Sequence, residues 1–189
     1  NNLGLSLLEI SHRSKDYVAV MDEARSLIKE LFEVGDEYEV MYLGGGASLQ
    51  FAMVPYNLLS DTGYAAYVNT GTWATKAIEE AQKVGNVKVL ASSEDKNFSR
   101  KIDAKKFALI YAGAQKNMGP AGCTMVMIRK DMVNKVARKR FAMMDYATQI
   151  KGESMYNTPP VFPVYVTMLT LRWLKQNGGI AWIEKINQQ

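Results

Sequence analysis

The apolar residues of the chain change their spacing at regular intervals, and the changes mark out alternating helices and strands. In 15–32, "KDYVAVMDEARSLIKELF", Val18, Met21, Ala24, Ile28, Leu31 and Phe32 recur at helical spacing, with Ser14 as an N-cap and Gly35 as the stop. "YEVMYL" (38–43) then reads as a strand, "GGGAS" (44–48) as a loop and "LQFAMVPYNLL" (49–59) as a helix. "GYAAYVN" (63–69), "TWATKAIEEAQKVG" (72–85) and "NVKVLAS" (86–92) repeat the order strand, helix, strand. Strands this apolar read as buried on both faces, which predicts an α/β fold with a mostly parallel sheet between helical layers.

The rhythm fails after Ser99. Residues 92–106, "SSEDKNFSRKIDAKK", are polar and lead into a strand, "FALIYAG" (107–113). The next strand, "CTMVMIR" (123–129), follows so short a connection that it is expected to return antiparallel. "NTPPVFPVYVTMLTLRWLKQNGG" (157–179) predicts a long helix, capped by Thr158, with Pro159 and Pro163 in its early turns and Gly178 as its stop.

Composition narrows the class without changing this picture. A chain of 189 residues is long enough for one domain with a real core and short for two. Hydrophobic residues at 48% and charged residues at 22% argue against disorder. The net charge of +4 has one cluster, "RKDMVNKVARKR" (129–140), which reads as a solvated helix face and loop. Without aromatics interleaved in a basic stripe, nucleic-acid binding is not indicated. Cys123 is the lone cysteine, so no internal disulfide can form and a reducing, cytoplasmic setting is favoured. His12 is the only histidine, which rules out a Cys/His metal site and any Ser-His-Asp triad that lacks His12. No apolar run reaches the roughly 18 residues a membrane helix needs. The opening "NNLGLSLLEISHR" has neither an initiator Met nor a signal-peptide pattern, as in a chain that starts part-way along a longer one.

Four features could carry chemistry. In "LGGGASLQF" (43–51) three glycines between a strand and a helix allow close approach to a ligand, and the helix N-terminus with Ser48 suits a phosphate. The spacing fits neither a P-loop nor a dinucleotide fingerprint, so a purely structural turn is the competing reading. In "YAGAQKNMGPAGCTMVMI" (111–128) a strand delivers Lys116 into a corner of small residues, with room for a flat ring beside an amine. An imine-forming lysine needs such a frame; a surface lysine does not. Trp73, in the first turn of a helix after a strand, is either a core residue or a ring that stacks on a planar ligand. Arg13, beside His12, is either an anion clamp or a rim charge. Together they are the parts of a pyridoxal-phosphate enzyme.

These same residues carry a family resemblance. "LSLLEISHRSK", "GGGASLQFAMVPYNLL", "YAGAQKNMGPAGCTMVMIRKDM" and "SMYNTPP" with "WLKQNGG" resemble the phosphoserine aminotransferases over nearly the whole chain. Those enzymes are class V, fold-type-I, pyridoxal 5'-phosphate-dependent homodimers with a three-layer αβα large domain. The resemblance implies that Lys116 forms the internal aldimine and that Ala47, Ser48 and Gln115 meet the cofactor phosphate. It places Trp73 over the pyridine ring, and Asn157 and Thr158 at the phosphate of the neighbouring subunit. His12 and Arg13 would hold the anionic groups of L-glutamate and 3-phosphohydroxypyruvate, the substrates from which O-phospho-L-serine and 2-oxoglutarate form. A related activity in the family serves pyridoxine biosynthesis.

The same resemblance makes residues 1–189 a partial large domain. It implies an N-terminal arm, a smaller C-terminal domain and an interior segment at Ser99/Arg100, which would hold a threonine and the aspartate facing the pyridine nitrogen. Two other readings stay open: a different fold-type-I enzyme, and a non-catalytic domain that binds a phosphate-bearing ligand. A cysteine desulfurase would need its cysteine on a mobile loop, whereas Cys123 lies in a predicted strand.

Overall fold

A computed structural model describes residues 4–92 and 104–188, and the proposed junction at Ser99/Arg100 lies outside them. The first helix, α1 (Lys15–Leu31), starts where the sequence predicts, because the Ser14 hydroxyl accepts the Tyr17 backbone N–H at 3.4 Å. Its end differs from the expectation. Glu33, not Gly35, takes the left-handed turn at φ 53°, and the Val34 and Glu33 amides bond back to the Lys29 and Glu30 carbonyls. That bond pair closes the helix end without a glycine. The buried stripe of α1 is Tyr17, Met21, Ala24, Leu27 and Ile28, so Val18 sits at its margin rather than on it.

Strand β1 (Tyr38–Leu43) leads into α2 (Gly46–Leu58), β2 (Tyr64–Asn69), α3 (Thr72–Gln82) and β3 (Asn86–Ser92). Strands β4 (Leu109–Gly113) and β5 (Thr124–Arg129) follow, then the short α4 (Tyr146–Lys151), α5 (Val161–Gln176) and α6 (Gly179–Asn187). Pro160, not Thr158, stands at the start of α5, since two consecutive prolines hold the chain extended until Val161; Pro163 lies in the first turn as expected. Gly178, at φ 107°, terminates α5.

β5 does return antiparallel, and it lies between β4 and β1, which therefore run parallel to each other. The two faces of this sheet are sorted by the period-2 alternation of its strands. Val40, Tyr42, Ile110, Ala112, Met125 and Met127 face one way, toward Met21, Leu27 and Ile28 of α1 and Val164, Met168 and Leu171 of α5. Met41, Leu43, Leu109, Tyr111, Val126 and Ile128 face the other way, toward Met53 and Leu58 of α2 and Tyr146 and Ile150 of α4. Helices on both faces make three layers, the α/β arrangement expected from the sequence.

The second pair of strands differs from the expectation of burial on both faces. β2 and β3 pair in parallel as a separate two-stranded sheet, which α3 packs against. Tyr64, Val68, Val89 and Leu90 of this pair are exposed, Leu90 at 67%. Apolar parallel strands normally have cover on both sides. Here the described residues supply no second cover and no strand that joins β2–β3 to β1–β5–β4.

Candidate active site

The ladder registers bring the two principal sequence features together. Leu43, the last residue of β1, and Gly113, the last residue of β4, both lie opposite Thr124 of β5. The Gly-rich turn and the Lys116 turn therefore leave the same edge of the sheet from parallel strands, roughly 10 Å apart, which is two strand spacings. An edge beyond the carboxyl ends of parallel strands is where α/β proteins bind ligands.

On the first of these turns, Gly45 and Gly46 have φ of 87° and 68°, a region that glycine enters without strain. Gly45 is the N-cap of α2 and no side chain among the described residues caps the helix, which leaves its first amides, those of Ala47 and Ser48 included, available to an acceptor. A Cβ added to Gly44 or Gly46 would meet nothing within 4 Å, so the space above the turn is open. Open room, uncapped amides, a helix dipole and the exposed Ser48 are features that could receive an anion.

On the second turn, Ala114 is fully buried and fastens the corner: its amide donates to Cys123 O, and its carbonyl accepts the Met118 N–H. Lys116 stands at the apex with φ 80°, exposed and without an ion-pair partner among the described residues. Gln115 is exposed beside it, its amide group folded over Gly113. Cys123 is buried, as expected of a small hydrophobe, and burial pushes its thiol above the ordinary range.

The remaining sequence candidates are more scattered. Trp73, in the first turn of α3, is 65% exposed, with Lys76 Nζ 4.8 Å from the ring centre, so it is not a core residue. Arg13 is exposed, and its backbone N–H donates to Ser11 Oγ; neighbouring His12 is half-buried, with a buried Nε2 that has no hydrogen-bond partner among the described residues. Asn157 and Thr158 are exposed just before α5. Their segment is tied to β1 by Ser154, whose buried hydroxyl accepts the Tyr42 N–H at 3.1 Å.

Comparison with known proteins fits this geometry. The model of the class-V aminotransferases matches residues 2–99 and 95–189. The chain belongs to the class-V aminotransferase family. Among curated relatives, the phosphoserine aminotransferase of Flavobacterium psychrophilum is 48% identical over 236 aligned positions, which take in 99% of this chain and 66% of that protein. The chain thus spans just under two thirds of the length of such relatives. Among solved structures, the phosphoserine aminotransferase of Bacillus circulans subsp. alkalophilus is 34% identical with a TM-score of 0.91, covering 98% of this chain and 66% of that one. A pyridoxal-phosphate-bound phosphoserine aminotransferase from Trichomonas vaginalis is 28% identical with a TM-score of 0.87, over 99% of this chain and 67% of that one.

Sequence reasoning missed the buried hydrogen bonds on either side of the glycine turn. Gln50, Asn57, Tyr146 and Ser154 are buried polar groups that join α2 and β1 to the segment around α4. The available signal was Gln50 and Asn57 themselves, polar residues on an otherwise apolar helix, since buried amides require partners.

Proposed function

We propose that this chain is the greater part of the cofactor-binding domain of a phosphoserine aminotransferase. The intact protein would transfer the amino group of L-glutamate to 3-phosphohydroxypyruvate, giving O-phospho-L-serine and 2-oxoglutarate for serine biosynthesis. The observation that carries the reading is the shared register of Leu43 and Gly113 on Thr124, which brings the glycine turn and the turn of the exposed Lys116 to one end of the sheet.

Bound pyridoxal 5'-phosphate supplies an aldehyde for amino groups and a ring that takes up charge from the substrate α-carbon. The α2 amides, with Ala47 and Ser48, would bind its phosphate, assisted by Gln115. Trp73 would cover the ring face and shut out water on that side. Lys116 Nζ would hold the aldehyde carbon and, once freed by the amino donor, take and return the proton at the substrate α-carbon. Because Lys116 is exposed in this chain, the cover that desolvates it would come from the bound ligand and from residues beyond those described. His12 and Arg13 would receive substrate anions, and Asn157 and Thr158 would reach the phosphate held by a second subunit of a homodimer.

Support for a lacking interior segment comes from three directions. The alignment to the F. psychrophilum protein runs over 236 positions against 189 residues here. The family model matches in two pieces that meet at residues 95–99. The strands on either side of that point fall into separate sheets, one with an exposed apolar face. We place the aspartate for the pyridine nitrogen in that segment. Cytoplasmic location and a second role in pyridoxine biosynthesis are part of the same proposal.

The test is an amino-transfer assay on the intact gene product, with phosphorylated and unphosphorylated oxo acids. The proposal expects turnover with 3-phosphohydroxypyruvate and glutamate and its loss in Lys116→Ala. A preference for unphosphorylated oxo acids would refute the substrate assignment.

A further inference from the structure

The proposed chemistry leaves unused two sets of buried hydrogen bonds that flank the Gly44–Ser48 turn. Tyr146, 1% exposed, donates its hydroxyl to Oε1 of the fully buried Gln50 at 2.7 Å. Its backbone N–H donates to Asn57 Oδ1 at 3.1 Å, and the Asn57 amide donates to the Met53 and Met144 carbonyls, each at 2.8 Å. Gln50 is the second residue after Ser48, within the first turns of α2. On the other side, Tyr42, the second residue before Gly44, donates its backbone N–H to Ser154 Oγ. Ser154 meets this edge of β1 in a left-handed conformation, φ 63°, that a serine does not take without cause.

We propose that Tyr146 and Ser154 are positioning residues for the phosphate cradle. Both belong to one segment, residues 146–154, and each fixes one side of the Gly44–Ser48 turn. The segment thereby sets the gap between the last amide of β1 and the first amides of α2. Anion binding by backbone amides depends on that gap, because the amides have no rotamers with which to adjust. A glycine turn cannot hold its own shape, and these two hydroxyls supply the constraint. The inference rests on the cofactor reading of this site given above.

The test compares binding of pyridoxal 5'-phosphate with binding of pyridoxal, which lacks the phosphate, by absorbance titration of the intact apoprotein. Tyr146→Phe removes the hydroxyl and leaves Gln50 Oε1 buried without a donor. Ser154→Gly removes the second hydroxyl in a residue that suits φ 63°, so it keeps the chain path. Each is expected to weaken pyridoxal 5'-phosphate binding about five- to tenfold, with pyridoxal binding changed less than about twofold. Leu27→Ala, a core variant on the opposite face of the sheet, loses stability but should leave the ratio of the two affinities unchanged. If both hydroxyl variants keep the wild-type ratio while the wild type prefers the phosphorylated ligand, the positioning role is overturned and the cofactor reading stands. If the wild type shows no preference, both fall.

Discussion

Gly119→Ala is the perturbation whose cost follows most directly from the coordinates. Gly119 closes the Lys116 turn through its bridge to Gln115, and it lies against α5 with φ 157°. A Cβ built there would stand 2.5 Å from Thr167 Oγ1, 3.3 Å from Thr167 Cβ and 3.1 Å from Thr167 Cα. The hydroxyl could turn aside; the helix backbone cannot, and Thr167 is fully buried in a packed layer. Carbon atoms in contact prefer about 3.5–4.0 Å, so the turn must lift off α5 by several tenths of an ångström. Overpacking of this kind costs about 1–3 kcal/mol, and the unfavourable φ adds about 1 kcal/mol or more, giving about 2–4 kcal/mol in all. Urea unfolding of the intact protein reads this as a lower midpoint at constant slope. Adding Thr167→Ala should recover no more than about 0.5 kcal/mol, because the hydroxyl can already turn aside while Thr167 Cα and Cβ stay in place. Lifting Gly119 also moves Lys116, so amino transfer should fall at least about tenfold under conditions where the variant is still folded. A variant within about 0.5 kcal/mol of wild type, inside the ordinary range for harmless changes, would refute the close-contact reasoning.

Three further outcomes are expected. The bidentate pair from Arg172 to Glu23, with both contacts at 2.7 Å, joins α5 to α1 and holds the Glu23 carboxyl below its ordinary 4.5. A lowered folded-state value stabilises above the unfolded value and loses that effect as pH falls through the folded one. Glu23→Gln should therefore flatten the acid limb of stability below about pH 5, by no more than about 1 kcal/mol because the pair is half-exposed; an unchanged acid limb would contradict this. Cys123, buried with its thiol pushed up, should resist alkylation in the folded protein and react only at the rate of unfolding, as mass spectrometry can follow; rapid labelling would show the β5 edge to be open. Trp73→Ala should leave stability within about 0.5 kcal/mol, since its ring is exposed, yet weaken cofactor binding as read by absorbance titration; no change in binding would remove the ring from the site.

What the sequence revealed and what it hid divide along the range of the interactions involved. Ser14, Gly178 and the apolar runs act within a few residues, so the start of α1, the end of α5 and the need of β1, β4 and β5 for cover on both faces were legible. The end of α1 was not, because Glu33 adopts a left-handed turn without the glycine that usually announces one. The separation of β2–β3 from the main sheet was also hidden: apolar strands signal that they need cover, not whether cover is present. Lys116 and the glycines of residues 44–46 stood out because small residues crowd around each. Their adjacency depends on ladders that join residues about eighty positions apart, and no local pattern encodes it. The same holds for Tyr146 and Gln50, 96 residues apart and joined by one hydrogen bond.

In the proposed function, Lys116 is the amine that holds the cofactor beside the Gly44–Ser48 turn. Borohydride reduction of the intact protein loaded with pyridoxal 5'-phosphate, followed by peptide mapping, tests it directly. A stable pyridoxyl group is expected on Lys116 and on no other lysine. A modified lysine elsewhere with Lys116 untouched, or no modified lysine at all, would contradict it.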